Sequence, residues 1–255
     1  MALILRVCNK DGSSHNGFKW PMEVGAVVKA PDWRDNKECG NGLHGWLYGQ
    51  GDHGCTDYWS REGAQWLVVE AETMLDLGGK VKFPECVIRF VGDKKSATDY
   101  LWENELRSRD VAVIGAQRSD MRDGAMVMVG ALGTATAGDR GTATAGDSGT
   151  ATAGDSGTAT AGYRGTATAG DSGTATAGDS GTATAGDRGT ATAGYRGTAT
   201  AGDRGTATAG DSGVIAIEYY DGHQYYRKIG AIGENGLKAN VAYRVENGEF
   251  VEACK

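Results

Sequence analysis

The stretch GTATAGDRGTATAGDS, Gly133–Ser148, opens ten near-identical octapeptides that run without a break to Ser212. Within each octet no residue is larger than Thr outside the seventh and eighth positions. Burial of bulky side chains therefore cannot order the segment, and its order has to come from repetition. A short fixed period is the mark of a stacked array in which each unit supports the next. Thr-Ala-Thr-Ala alternates with the two-residue period of a strand, so Thr134 and Thr136 share one face and Ala135 and Ala137 the other. The Gly-Asp-Ser-Gly or Gly-Asp-Arg-Gly that follows is turn chemistry, with Gly expected to supply positive φ and Asp to bond nearby backbone. Each octet reads as one short strand and one tight corner.

A closed coil needs two strands and two corners, which makes 16 residues the smallest rung. Ten octets then form five rungs, a rod of roughly 24 Å at about 4.8 Å per rung. In this register the odd octets carry Asp139, Asp155, Asp171, Asp187 and Asp203 in one corner column, beside Arg140, Arg188 and Arg204. The even octets alternate Asp147, Tyr163, Asp179, Tyr195 and Asp211. The calcium-binding glycine-rich nonapeptide is not matched. Ala is expected inward, because a buried Thr hydroxyl would need a partner, and Ile215 and Ile217 continue the Ala positions beyond the last octet. Val111–Gly115 and Met126–Gly130 read as degenerate rungs closing the other end.

Ala161-Gly-Tyr-Arg-Gly-Thr-Ala-Thr and Ala193-Gly-Tyr-Arg-Gly-Thr-Ala-Thr resemble the Ala-Gly-Tyr-Gly-Ser-Thr-x-Thr octapeptide of bacterial ice-nucleation proteins. The resemblance covers residues 133–212. It implies a β-solenoid of 16-residue coils whose outward Thr-x-Thr rows order water and whose tyrosines join rods. On this chain those rows comprise Thr134, Thr136, Thr142, Thr144, Thr150, Thr152, Thr158, Thr160, Thr166, Thr168, Thr174 and Thr176, with Tyr163 and Tyr195 in the corner column. Most corner tyrosines of the family are Asp here, and the rungs are few.

Composition divides the rest. All six Trp and all three Pro precede residue 103, so an aromatic core is available only at the front. The net charge of −7 with interleaved signs excludes a clustered basic surface for nucleic acid. No apolar run reaches the ~20 residues of a membrane span, and the opening MALILRVC lacks the pattern of a secretion signal. An odd number of cysteines, at 8, 39, 55, 86 and 254, leaves a free thiol and fits a reducing compartment. The expected location is the cytoplasm, with no membrane and no nucleic acid as partners.

Residues 1–108 read as an α+β module, 109–132 as N-terminal capping rungs, 133–212 as the β-solenoid and 213–255 as a β-meander cap; the fold class is mainly β. In the front module Leu3–Cys8, Gln65–Glu72 and Glu85–Gly92 read as strands, and Ser96–Ser108 as a helix with a Ser96/Asp99 capping box. Between them Gly-x-Gly-x-His-Gly occurs twice, with a cysteine outside each copy: Cys39 and His44, then His53 and Cys55. Three readings compete. A dinucleotide fingerprint lacks its flanking strand and helix. Zinc held by Cys39, His44, His53 and Cys55 has the right ligand types without the spacing of a common finger. A glycine-shaped loop with structural His and Cys completes the set. Cys39 with His44, or Cys55 with His53, is also a nucleophile and base pair on paper, though no flanking motif supports catalysis. The Cys-Gly-x-Gly-Leu-His stretch resembles an uncharacterised module of phage and bacterial proteins, which implies no activity.

In the tail, Asp221-Gly222, Glu234-Asn-Gly236 and Asn247-Gly248 mark turns. Tyr219, Tyr220, Tyr225 and Tyr226 are expected to cover the open end of the rod or to form a contact with another chain. Three functions remain open. The first is a structural, non-enzymatic interaction protein in which the rod presents the front module, as a phage or bacterial factor docking a host protein or self-associating through tyrosines. The second is ice binding by the Thr rows, and the third an enzyme or zinc site in the front module; no other cofactor is expected.

Overall fold

The structure, a computed structural model, describes residues 1–253; Cys254 lies outside the described residues. The chain forms two compact units, one from Met1 to Ala116 and one from Gln117 onward.

The first unit is a seven-stranded antiparallel sheet with one helix. Its strands are β1 (Ala2–Cys8), β2 (Val27–Lys29), β3 (Leu43–Leu47), β4 (Gln65–Ala71), β5 (Leu75–Asp76), β6 (Val81–Phe83) and β7 (Glu85–Gly92). The spatial order is β2-β7-β4-β1-β3-β6-β5. β1 is central and apolar along nearly its whole length, which places Ile4 and Cys8 in a core with Trp20, Leu67, Val69, Phe83 and Ile88. Helix α1 (Lys94–Asn104) buries Ala97, Thr98 and Leu101, and Tyr100 stacks on Phe90 of β7 at 5.1 Å.

Two sequence expectations change here. The helix begins earlier than Ser96, because the Asp93 carboxylate caps it by accepting the Ser96 N–H at 2.8 Å. The first glycine-histidine copy is not a loop throughout, since Leu43–Leu47 pairs with β1 and β6 and carries His44 within a strand. Gly45 fits there because a Cβ would sit 2.5 Å from the Ile4 side chain.

The second unit is the solenoid. Ten Thr-Ala-Thr-Ala strands, from Thr134–Ala137 to Thr206–Ala209, alternate between two parallel sheets. Residue i pairs with residue i+16 throughout, Thr150 with Thr166 and Thr158 with Thr174 for example. The two-sided 16-residue rung is thus the observed unit. None of the twenty strand alanines exceeds 3% exposure, and every strand threonine faces outward. A core of methyl groups alone lets the two sheets approach closely enough for single-atom side chains to fill the interior.

The corners differ from expectation in an instructive way. The octet glycines do not supply positive φ. That conformation belongs to the eighth residue, Ser or Arg, from Arg140 (φ 52) to Ser212 (φ 56). The glycines are required by crowding within the corner and between rungs: a Cβ on Gly157 would lie 2.8 Å from the Ala153 Cβ of its own corner and 3.0 Å from the Gly141 carbonyl of the rung below. On Gly154 it would lie 2.3 Å from the Asp139 carboxylate below. Corner backbone is satisfied from rung to rung, as in Ser156 N–H to Asp171 O at 2.7 Å and Thr158 N–H to Gly141 O at 2.8 Å.

At the N-terminal end, Met126–Met128 pairs with Thr142–Thr144 as an end rung. The rung beside it is Gln117–Asp120 and not Val111–Gly115. Val113 and Ile114 are buried in the first unit, with the Ile114 N–H bonded to the Gly49 carbonyl at 2.9 Å. Arg118 and Asp120 stand at the register positions of Ala135 and Ala137, so on this sheet the alanine columns end on charged side chains, while on the other the buried Val127 stands at the position of Ala143. Polar terminal repeats of this kind stop a stacked array from growing.

At the other end Val214–Tyr220 forms the last parallel strand, with Ile215 and Ile217 fully buried in the alanine columns. Tyr243, paired with Ala207, and the buried Ile232 and Leu237 complete the cap. The hairpin tyrosines contribute little to that closure. Tyr219 stacks on Tyr226 at 5.6 Å and Tyr220 meets Tyr225 at 5.1 Å, while Tyr220, Tyr225 and Tyr226 are exposed.

Candidate functional site

The outward faces of the solenoid are the most regular surfaces of the molecule. On one sheet Thr134, Thr150, Thr166, Thr182 and Thr198 form a row, and Thr136, Thr152, Thr168, Thr184 and Thr200 a second. On the other sheet the rows are Thr142, Thr158, Thr174, Thr190 and Thr206, and Thr144, Thr160, Thr176, Thr192 and Thr208. Met126 and Met128 extend the second pair of rows by one exposed rung. Neighbouring rungs put hydroxyls about 4.8 Å apart, and the two rows of a face are about 6.7 Å apart along the strand. Thr is β-branched and stiff at χ1, so each array of hydroxyls and methyls is held ready at little further entropic cost. The rows carry no charged side chain; charge is confined to the corners.

The corner columns are structural ladders as well. In the odd column the carboxylate of each Asp accepts the backbone N–H of the next Asp above: Asp139 from Asp155 at 3.1 Å, Asp155 from Asp171 at 3.0 Å, Asp187 from Asp203 at 2.8 Å. In the even column Asp147 and Asp179 accept from Tyr163 and Tyr195 at 2.9 and 2.8 Å. Among the described residues no carboxylate bond of this kind reaches the N–H of Asp179 or Asp211, because the side chain below each is a tyrosine. Arg204 lies 3.5 Å from Asp203, whereas Arg140 turns away to pair with Asp123. Tyr163 and Tyr195 are about half exposed on one edge, with the Arg164 and Arg196 guanidiniums 5.2 and 6.0 Å from their rings.

The cysteines and histidines of the front unit do not converge on a metal site. Cys39, His44 and Cys55 line one cleft, but His53 does not; its ring packs against Trp59 at 5.7 Å. Among the described residues no group of three or more His, Cys, Asp or Glu side chains stands close enough to hold a metal ion. Cys39 receives a hydrogen bond from Lys80 Nζ at 3.1 Å, and the Cys55 thiol faces Asp52 at 3.7 Å. Burial, reinforced by Lys80, Arg6 and Lys82, lowers the His44 pKa to about 4. Among the described residues the hydrogen-bond partners of Cys39 and Cys55 are Lys80 and Asp52, not the histidines His44 and His53.

Comparison with known proteins matches this division. Residues 2–101 match a family described as Domain of unknown function (DUF7666). The ice nucleation protein of Xanthomonas campestris pv. translucens is 36% identical over 106 residues, 40% of this chain and 6% of that protein. The octapeptide segment is similar to that of ice nucleation proteins. The InaU ice nucleation protein of Pantoea ananas is 30% identical over 103 residues, 39% of this chain and 10% of the relative. An ice nucleation protein of Pseudomonas syringae is 32% identical over 104 residues, 39% of this chain and 9% of the relative. The chain spans a tenth or less of the length of these relatives. No solved structure matches it. The second unit is thus a β-solenoid built from octapeptides similar to those of ice nucleation proteins, and no helix of the described residues is long and apolar enough to cross a membrane.

Proposed function

We propose that the solenoid binds ordered water or an ice surface through its two threonine faces. The observation that carries the reading is the i to i+16 register, which repeats Thr above Thr for five rungs on each sheet with no charged residue in the rows. Charges would hold water in their own shells, whereas alternating hydroxyls and methyls at fixed intervals accept an already ordered water layer. Each face is about 20 Å long and about 7 Å wide. That area favours adsorption to a crystal over starting one, because nucleation scales with the size of the templating surface. The names of the relatives, ice nucleation proteins, support the same class of ligand. Slow freezing of a dilute solution tests it. The full chain is expected to be incorporated into the growing polycrystalline ice, while a control protein of equal mass is left in the liquid; exclusion of both overturns the reading.

A second reading, docking to a protein partner or self-association through tyrosines, is favoured by one feature. Tyr163 and Tyr195 project half exposed from one edge of the rod, and Tyr220, Tyr225 and Tyr226 are exposed on its terminal hairpin. Tyrosine is enriched where interfaces bury their centres. Sedimentation of Tyr163→Ser, Tyr195→Ser beside the parent tests self-association, and equal sedimentation of both at high concentration removes it.

A further inference from the structure

The first glycine-histidine copy has a use that the rod does not explain. Residues 39–46 form one wall of a cleft of about 620 Å³ in the first unit, a size in the usual range for small-molecule sites. We propose that this cleft binds a small organic oxyanion, a carboxylate or phosphate ester with an apolar body, whose charge is met by Arg6 and Lys80.

The cleft carries an excess of positive charge. Arg6 and Lys80 both line the cleft, and Lys82 is fully buried behind it. Among the described residues no carboxylate lies within 4.0 Å of any of the three, although the exposed Lys29, Arg61 and Lys95 each have one. Lys82 is satisfied by neutral oxygens, Asn36 Oδ1 at 2.8 Å and Glu38 O at 3.1 Å. Arg6 lies over the Trp20 ring at 4.0 Å and gives one hydrogen bond, to the His44 carbonyl at 3.0 Å. Its Nε and the Nε2 of His44 are buried and have no hydrogen-bond partner. Burying a cationic nitrogen without a counter-charge is costly, and an anion from outside the chain would supply that charge.

Burial pulls the Arg6 pKa down to about 10, the direction expected of a guanidinium that lacks an acid beside it. Of the two carboxylates on the wall, Asp57 is held by Arg61 at 2.8 Å, and Asp32, which meets only the neutral Asn41 amide at 3.5 Å, offsets one charge and leaves the wall with a net positive balance from Arg6 and Lys80. Phe18 and Tyr58 supply apolar surface for the body of the ligand. Glycine is required in this wall by backbone conformation and packing. Gly42 has φ +150 and its Cβ would strike Lys82 and Trp33, while Gly40 has φ +92 with nothing within 4 Å.

This inference concerns the first unit alone and does not depend on the ice-binding reading. Isothermal titration calorimetry of the full chain with benzoate, adenosine monophosphate and inorganic phosphate separates the carboxylate and phosphate sources. Saturable one-to-one binding of benzoate or the nucleotide is expected, tighter than inorganic phosphate. It should weaken about tenfold in Lys80→Gln and again when salt rises from about 0.05 to about 0.5 M. Arg6→Met should abolish it, and because that side chain packs on Trp20, the Lys80→Gln variant decides the matter if Arg6→Met fails to fold. No saturable heat with any of the three probes, or equal affinity in Lys80→Gln, overturns the proposal.

Discussion

The backbone N–H of Asp171 donates to the carboxylate of Asp155, 3.0 Å away and one rung below, while the Asp171 carbonyl accepts the N–H of Ser156 in that same lower corner at 2.7 Å. Both polar groups of one corner residue are thus bound to the rung beneath. The aspartate column, which as bare charge would repel itself, serves as a side-chain extension of the backbone ladder.

Asp155→Ala is therefore expected to destabilise the rod by about 0.5–1 kcal/mol by removing an acceptor. Asp155→Asn keeps the acceptor and removes a like charge, so it should be neutral or slightly stabilising at low salt. Denaturant unfolding of both variants at two salt concentrations checks the ordering.

The corner geometry predicts opposite effects for two neighbouring residues. Ser156, at φ 55, bears a left-handed conformation that Asn tolerates better, so Ser156→Asn should stabilise by up to about 1 kcal/mol. Gly157→Ala, an ordinarily mild change, should cost more than about 1 kcal/mol because the new methyl meets the Ala153 Cβ and two carbonyls. Thermal melts by circular dichroism give both signs.

His44 makes the first unit sensitive to acid. Its pKa falls from 6.5 to about 4 on folding, so the unfolded chain takes up a proton at a pH where the folded one does not. The stability this group contributes is complete above pH 6.5 and is lost as pH drops from 6.5 toward 4. Allowing for screening of a partly exposed ring, the loss is about 1–2 kcal/mol. All six tryptophans lie in this unit, so unfolding followed by their fluorescence isolates it. His44→Gln should flatten the slope between pH 6.5 and 4.

Thiol reactivity should separate into two classes. Burial raises Cys8 to about 11 and Cys86 to about 12, whereas Cys39 and Cys55 are exposed. In a Cys254→Ser background at pH 8, a disulfide reagent should titrate two thiols in the native protein and four after unfolding; four fast thiols in the native state would contradict the burial of β1 and β7.

Much of the rod was legible because its octet contains little else to read. Alternation assigned the strands, the absence of bulk forced a coil of two strands, and Ile215 and Ile217 marked the inward columns. The corners are not legible in the sequence, for a physical reason. A glycine in a turn sequence points first to positive φ, whereas crowding by the preceding alanine and by the rung below, visible only in the folded coil, is what excludes a side chain. Ser and Arg carry no local mark of the left-handed conformation they adopt. The threonine faces followed directly from the register. The oxyanion cleft did not, because Arg6, His44 and Lys80 meet only once β1 is inserted between β4 and β3, and no spacing along the chain encodes that order. Val111–Gly115 matched the apolar pattern of an end rung equally well, and its burial in the first unit is a tertiary choice.

The central claim is that threonine rows meet ice. Thermal hysteresis of the parent should be compared with Thr158→Lys, Thr166→Lys, Thr174→Lys, Thr182→Lys, which breaks both faces, and with Ser148→Lys, Ser156→Lys, Ser172→Lys, Ser180→Lys, which adds equal charge at the corners. Hysteresis in the parent, retained by the corner variant and reduced at least several-fold by the face variant, is the predicted result; no hysteresis or crystal shaping in the parent, or an equal loss in both variants, would contradict it.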